Sequence, residues 1–512
     1  MLSLKKLLGF IALALLMVGC GGEEVEPVTG GVVSSIDQSG NGEVGERPFA
    51  GESITILTRD GVQIVEPLVR RAAEFQTLTG AEVKIETTPF DQLYDQMWAD
   101  LSAQKNDYQA YVFAPQWLVD YTIPGYLLDL TDLAMNDEAL AWSDIAPFFR
   151  DFSATYEGRV YTIPLDGDFQ LVYYRADLLA EAGLTPPTTW QEYIEMAAIF
   201  HNQDLNGDGE ADYGSCIAKT ENGQSYWMFW SIVAPYLQSQ GTRQGTFFSP
   251  QTMAPLVNNE AFAAALTIYK ETNQYGADNE LALDVADTRS LFVAGRCALS
   301  IDWGDIGTLS IGPESQIKGK LGTTMLPGSN QVLERATGEL VRCEPAVCPY
   351  ALGGINHAPF AAFGGWAGGI SNFATAEEQA LAYAFLSYMS QPEQANEDVT
   401  IGITGYNPYR ISQFSDYRLW LEAGMERATA ERYLSAIGVS LNNPNMALDL
   451  RIPQNNRYQQ EVLDSVLAQF LADELTVEET MTQIYTGWEL ITEEIGREEQ
   501  LAAYRASLGY TE

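Results

Sequence analysis

The chain has 512 residues and a formal net charge of −41. Its length calls for two or more domains, and 46% hydrophobic against 19% charged residues excludes a mainly disordered polymer. So acidic a chain lacks the basic footprint that nucleic acid or an anionic membrane face requires, and two histidines, His201 and His357, leave little material for His-based metal or acid–base chemistry.

Lys5 and Lys6 precede an uncharged apolar run from Leu7 to Val18. That run is shorter than the roughly 20 residues of a membrane span and suits the core of a secretory leader, so residues 1–19 are expected to be a signal peptide. Val18-Gly19-Cys20 resembles a bacterial lipobox, with Met17 where leucine is more usual. The resemblance implies cleavage before Cys20 and a lipid on its thiol. Residues 20–52, rich in Gly, Ser, Glu and Val, are expected to form a flexible tether. A lipid there would anchor the protein without making it span.

In the folded body, residues 53–57, 83–86 and 109–113 read as strands, and 67–79 and 89–103 as helices. Leu68, Ala72, Phe75 and Leu78 share one helical face, and Leu93, Met97 and Leu101 another. This alternation predicts an α/β fold with a parallel sheet. Ligands of open α/β sheets bind beyond the carboxyl ends of the strands. That draws attention to residues 58–61, with Asp60, after the first strand, to residues 87–90 after the second and to residues 114–117, with Trp117, after the third. None of these segments carries a phosphate-cradling glycine pattern.

Further along come Tyr161 and Pro164, Asp166 and Asp168 about Gly167, the strand-like Leu171 to Arg175, Asp177 to Leu179, and Pro187 to Trp190. Leu291 to Trp303, Phe363 to Ser371 and Phe385 to Pro392 follow. In this order the motifs resemble those of extracellular solute-binding proteins that feed ABC importers, especially the maltose-binding, sugar-binding members. The likeness runs from about Ser53 to the end. It implies a type II periplasmic-binding-protein-like fold: two α/β lobes, a hinge of crossover segments and a cleft between them. Crossings are expected near Leu165, near Lys320 to Met325 and around Gln391. Residues 53–164 plus 321–390 would then form lobe 1, and 165–320 plus 391–512 lobe 2.

A sugar presents hydroxyls and flat C–H patches, matched by carboxylates or amides and by aromatic faces. Trp366, with Gly365 beside it, leads the candidates, followed by Trp303, which precedes Asp305. Asp166 and Asp168 flank the first crossing, and the resemblance implies that Asp168 contacts hydroxyls. Trp227, Trp117 and Tyr458 are further stacking candidates, and Tyr406 and Arg410 lie near the expected third crossing. Ordinary core packing competes with each aromatic assignment. Asp166, Asp168, Asp302 and Asp305, with no arginine cluster nearby in sequence, would also suit a cationic solute such as a polyamine or amino sugar.

Asp204, Asn206 and Asp208 at alternate positions, with Gly209, Glu210 and Asp212 after them, resemble the first half of an EF-hand loop. Ser215 stands where the bidentate Glu belongs, and two readings stand side by side, a structural calcium ion and an Asx-rich turn satisfied by its own backbone. Cys216, Cys297, Cys343 and Cys348 form an even set in an exported chain. Cys343 with Cys348 and Cys216 with Cys297 is the favoured pairing of three.

The reading is a monomeric, lipid-anchored binding protein at the outer face of the cytoplasmic membrane. It needs no cofactor, captures a sugar or polyol by hinge closure and delivers it to a permease. Rival readings are a secreted glycoside hydrolase using Asp302 and Asp305 as its two carboxylates, and a surface glycan-binding lipoprotein.

Overall fold

A computed structural model describes residues 47–510. The expected signal peptide, Cys20 and residues 20–46 of the tether lie outside the described residues. In chain order the elements used below begin with β1 (Ser53–Arg59), α1 (Val62–Thr79), β2 (Glu82–Thr88), α2 (Phe90–Ser102), β3 (Ala110–Phe113) and β4 (Thr162–Pro164). Next come β5 (Leu171–Arg175), β6 (Tyr213–Cys216), α3 (Ser225–Leu237), α4 (Val285–Val293), β7 (Cys297–Asp302) and β8 (Leu321–Met325). The last are β9 (Ala367–Ile370), α5 (Ala376–Ser390), α6 (Pro392–Asp398), α7 (Arg427–Leu441) and α8 (Val477–Ile495).

Two sheets define two lobes. The first has the order β2-β1-β3-β9-β4, with β1 parallel to both neighbours and β9 antiparallel to β3 and β4. The second has the order β8-β5-β7-β6, with β5 antiparallel to both neighbours and β6 parallel to β7. Local chemistry sets the element ends. Gly80 takes a left-handed conformation (φ 81°) and stops α1, and Thr375 with Glu378 forms a capping box that starts α5. β5 and β7 are buried along their whole length, as strands covered on both faces must be.

The chain first crosses between Pro164 of β4 and Leu171 of β5. The other two crossings differ from expectation. β8 pairs with β5 from Leu321 to Met325, so these residues sit in the second lobe. The chain returns only between Ala361, which bonds to Ala447, and β9. Residues 391–412 stay with the first lobe. Asp398 of α6 is ion-paired with Arg70 and Arg71 of α1 at 2.8 and 2.6 Å, and the Ser412 hydroxyl donates to Asp144 at 2.7 Å. The third crossing therefore falls between Ser412 and α7, which packs on β8. Disulfides join Cys216 to Cys297, tying β6 to β7, and Cys343 to Cys348.

Candidate functional site

The crossover segments meet at one carboxylate. Asp166 Oδ1 accepts the Asn407 N–H at 2.6 Å and Oδ2 accepts the Trp366 N–H at 3.2 Å. Leu165 N–H donates to the Trp366 carbonyl at 3.0 Å and Gly167 N–H to that of Asn407 at 3.1 Å. Two glycines permit this approach. A Cβ on Gly365 (φ 90°) would lie 2.2 Å from the Asp166 carbonyl oxygen, and one on Gly167 2.3 Å from that of Pro408. Burial pushes the Asp166 carboxyl up to about 7. Asp168 is raised well above the ordinary carboxylate range, by burial first and then by the charge of Asp166.

Asp168 faces a second acid set across Asn407, whose Nδ2 donates to Asp168 at 2.9 Å and to Asp305 at 3.3 Å. Of the four acids expected to stand without arginine, Asp302 and Asp305 have one. Arg289 of α4 donates to Asp302 at 2.7 and 2.9 Å and to Asp305 at 2.7 and 2.9 Å. This clamp speaks against both rival uses of these acids. Two carboxylates held on one guanidinium are not disposed on either side of a scissile bond, and they do not offer the uncompensated charge a cation needs.

The aromatic candidates form a continuous cluster. Trp227 on α3 meets Trp303 edge-on at 5.3 Å and Phe363 at 4.8 Å. Phe363 contacts Trp303 at 5.3 Å and Trp366 at 5.8 Å. Phe90 bridges Trp366 at 6.1 Å to Trp117, on which it stacks at 5.6 Å. Arg59 lies over Phe90 and Trp366, 5.7 and 5.9 Å from the ring centroids. Trp227 Nε1 donates to Asp449 at 2.8 Å. With its amide oriented to donate, Gln116 of the first lobe reaches the same carboxylate at 2.8 Å.

A cavity of about 60 Å³ lies between the lobes here, lined by Arg59, Gln63, Asp168, Gln224, Arg289, Trp303, Asp305, Phe363 and Trp366, among others. At ~30 Å³ per water it is small, and the rings around it are in contact, so a sugar-sized guest enters only if the lobes part.

The structure thus brings Trp366, Trp303, Asp168 and Asp305 to one cavity and places Asp166, Gly365, Trp227 and Trp117 behind them. It does not bring in the others. Arg410 is wholly buried and spends its guanidinium on the carbonyls of Leu140 and Ser390. Tyr458 packs in the second lobe, its hydroxyl 3.0 Å from that of Thr492. Tyr406 is buried away from the lining. Asp60 is exposed beside Arg59 and outside the lining. Sequence reading missed Arg289, Asn407 and Gln224, and reached Arg59 and Phe363 only as members of their segments. Arg59 had a usable signal, since it ends a strand at the end where ligands bind.

The loop expected to hold calcium is built as a turn. Asp204 accepts the N–H groups of Gly207 and Gly209 at 2.7 and 3.0 Å, and Asn206 accepts that of Asp208 at 3.0 Å. Asp208 accepts the N–H of Glu210 at 2.8 Å, and Asp212 pairs with Arg296 at 2.8 Å. These oxygens are committed to backbone amides and a guanidinium, as in Asx turns. Among the described residues no group of three or more His, Cys, Asp or Glu is placed to hold a metal. We expect neither EGTA nor added Ca²⁺ to move the melting temperature by more than about 1 °C; a rise of several degrees with Ca²⁺ would reinstate the ion.

The family described as bacterial extracellular solute-binding protein matches residues 61–396. A probable amino-acid ABC transporter periplasmic-binding protein of Sinorhizobium fredii is 21% identical over 74% of this chain and 77% of its own length. The mannitol-binding protein of Pseudomonas aeruginosa is 24% identical over 46% of this chain and 56% of its own length. The crystal structure of an ABC transporter solute-binding protein from Agrobacterium radiobacter K84 in complex with ribitol shares the two-lobe fold. Its TM-score is 0.70 at 21% identity, covering 87% of this chain and 100% of that one.

Proposed function

Because the chain belongs to the bacterial extracellular solute-binding proteins, an exported family, we propose that it captures an uncharged sugar or polyol between its lobes and hands it to the permease of an ABC importer. One observation carries the choice of ligand. Trp303, Phe363 and Trp366 form a ring wall beside a mixed set of donors and acceptors, Arg59, Arg289, Asp168 and Asp305. Vicinal hydroxyls can donate to the carboxylates and accept from the guanidiniums while C–H faces rest on the rings. A cationic guest would pay for desolvation beside two guanidiniums. A free amino acid is the reading to beat, since its two charges could pair with Arg59 and Asp168. The name of the Sinorhizobium relative points the same way.

Capture requires no bond to form or break. Asp166 and its glycines join the lobes at a narrow knot, a suitable place for hinge bending around a ligand. Moving a 1:99 open–closed equilibrium to 99:1 takes about 5.5 kcal/mol of differential affinity, within the roughly 8.2 kcal/mol of a micromolar ligand. We further propose that a lipid on Cys20 holds the protein at the membrane. No helix of the described residues is long and apolar enough to cross one.

The test is a thermal-shift screen of sugars, polyols and amino acids, followed by small-angle scattering with the best hit. The expected result is a sugar or polyol that raises the melting temperature by several degrees and lowers the radius of gyration. Trp366→Ala should remove the shift while leaving the unliganded melting temperature within a few degrees. Shifts from amino acids alone would replace the ligand class, and binding without compaction would remove hinge closure.

A further inference from the structure

Four carboxyls and two guanidiniums meet where the lobes close, and their charges do not balance. Asp166 and Asp302 are fully buried, Asp168, Asp305 and Arg289 nearly so, and Arg59 is half-buried. Two cations against four acids leave two negative charges beside a cavity with room for only a couple of waters. The surroundings offer no further cation. Asp284 on the lining and Asp60 beside Arg59 are exposed acids. Tyr173 of β5, Tyr406 of residues 391–412 and Tyr433 of α7 face the acids, and burial keeps all three as neutral phenols. A carboxylate buried without a partner is costly, and a proton is the usual remedy.

The geometry places that proton. Asp166 is held as an acceptor, with the N–H groups of Asn407 and Trp366 on its two oxygens. Asp168 takes the Asn407 side-chain amide on Oδ1, and its carboxyl is also hydrogen-bonded to that of Asp166. Two carboxyls bond to each other only through a proton, so Asp168 donates and Asp166 accepts. Asp302 and Asp305 have Arg289 between them instead.

Closure assembles this set. Asn407 moves with the first lobe, since the N–H of nearby Gly405 donates to the Gln63 carbonyl of α1 at 2.8 Å. Asp302, Asp305 and Arg289 move with the second lobe. The Asn407 amide that holds Asp168 also donates to Asp305 at 3.3 Å, so parting the lobes breaks that bond and admits water to both hinge acids. Arg289 leaves with Asp302 and Asp305, and one cation with two acids is a departing negative charge. Added water and lost negative charge both loosen the proton on Asp168.

We infer that closing the lobes takes up a proton, held between Asp168 and Asp166, so that ligand capture and proton capture are coupled. The inference rests on the capture-by-closure reading above and adds a second bound species to it. The sign follows from linkage: the closed state holds more protons than the open one, so acid favours closure and a rising pH favours release.

Titration calorimetry on the full chain with mannitol, ribitol, glucose and maltose tests it. At pH 7, enthalpies measured in phosphate and in Tris, which differ widely in protonation enthalpy, should differ by the uptake of about one half to one proton per ligand. From pH 6 to pH 8 the Kd should rise about fivefold or more. Asp168→Asn keeps a donor toward Asp166 in place of the carboxyl O–H and should abolish both effects, whatever its own affinity. The ligand-free chain gives a separate arm, and the radius of gyration should fall from pH 8 to pH 6 more in the wild type than in a folded Asp168→Asn. The buffer comparison needs no variant. Enthalpies independent of buffer, a Kd flat from pH 6 to pH 8, or a pH dependence that Asp168→Asn leaves intact overturns the coupling while sugar capture stands. If none of the four probes binds but the ligand-free chain still compacts in acid through Asp168, the ligand class is wrong and the coupled closure holds. No binding and no such compaction overturns both.

Discussion

Arg289→Met is expected to cost about 3–5 kcal/mol of stability at pH 7.5, measured by urea unfolding, although it removes only one side chain from a chain of this size. The cost comes from what remains. Arg289 is 6% exposed, and it is the cation between Asp302 and Asp305, which are 0% and 4% exposed. Its own ionisation is held up by those two acids against the burial that opposes it. With methionine there, two buried carboxylates must either stay charged without a partner or take up protons. Asp166 and Asp168 stand close enough to Asp305 to add repulsion if it stays charged, and so favour the proton. The penalty should therefore shrink at pH 5, where protonation is cheaper. Arg289→Met combined with Asp302→Asn and Asp305→Asn should recover most of the loss, because a neutral trio of similar volume no longer carries unpaired charge. A loss below 1 kcal/mol for the single change, or no recovery in the triple, would show that the clamp is not what pays for burying these acids.

How much of this could be read from residues alone depends on whether a side chain's partner lies near in sequence. β1, β2, α2 and β3 were legible because periodicity is local, and Gly80 marks its helix end without help from the rest of the fold. Trp366 stood out because the glycines around it leave no bulk over its ring and let a ligand near the backbone. The crossings were harder. Leu321 to Met325 is a strand by pattern, but nothing in five residues says that its partner is Leu171 to Arg175 rather than a strand of the other lobe. α6 likewise gives no sign that Asp398 will meet Arg70 and Arg71, more than 320 residues earlier. Arg289 was invisible for the same reason, since within α4 it reads as a solvated charge and only the fold lays Asp302 and Asp305 across it. Tyr458 and Arg410 failed in the opposite sense. Each lies in a plausible segment, yet composition cannot tell a side chain facing the cleft from one facing the core one turn away.

The unusual charge balance leads to the second large effect: the folded chain should become more stable on acidification from pH 8 to pH 5. Asp120, Asp166, Asp449 and Asp464 are buried with no cation paired to them, and burial raises each to about 7. In the unfolded chain each titrates near ~3.9. Between about pH 4 and pH 7 the native state thus holds more protons than the unfolded state, and stability falls as pH rises through that window. Exposed carboxylates that are held low, such as Asp208 and Asp416, lose their small contribution only below about pH 4, outside the window. His357 opposes the trend, because burial lowers it and charging it below about pH 6.5 costs stability, but it is one group against four. Relief of self-repulsion in so acidic a chain adds to the acid side. We expect the melting temperature to be higher at pH 5 than at pH 8 by roughly 4 °C, since four groups at ~1 kcal/mol each act against an unfolding entropy of about 1 kcal/mol per degree for a chain of this length. Asp120→Asn with Asp449→Asn should flatten the profile by raising stability at pH 8, because asparagine carries no charge to bury. Both residues accept bonds from the opposite lobe, so the same pair should hold the lobes together more tightly at high pH, seen as a smaller radius of gyration without ligand. A melting temperature that is flat or falls from pH 8 to pH 5 would mean that these carboxyls find water or counter-charge in the folded chain, and that closure does not depend on their protons.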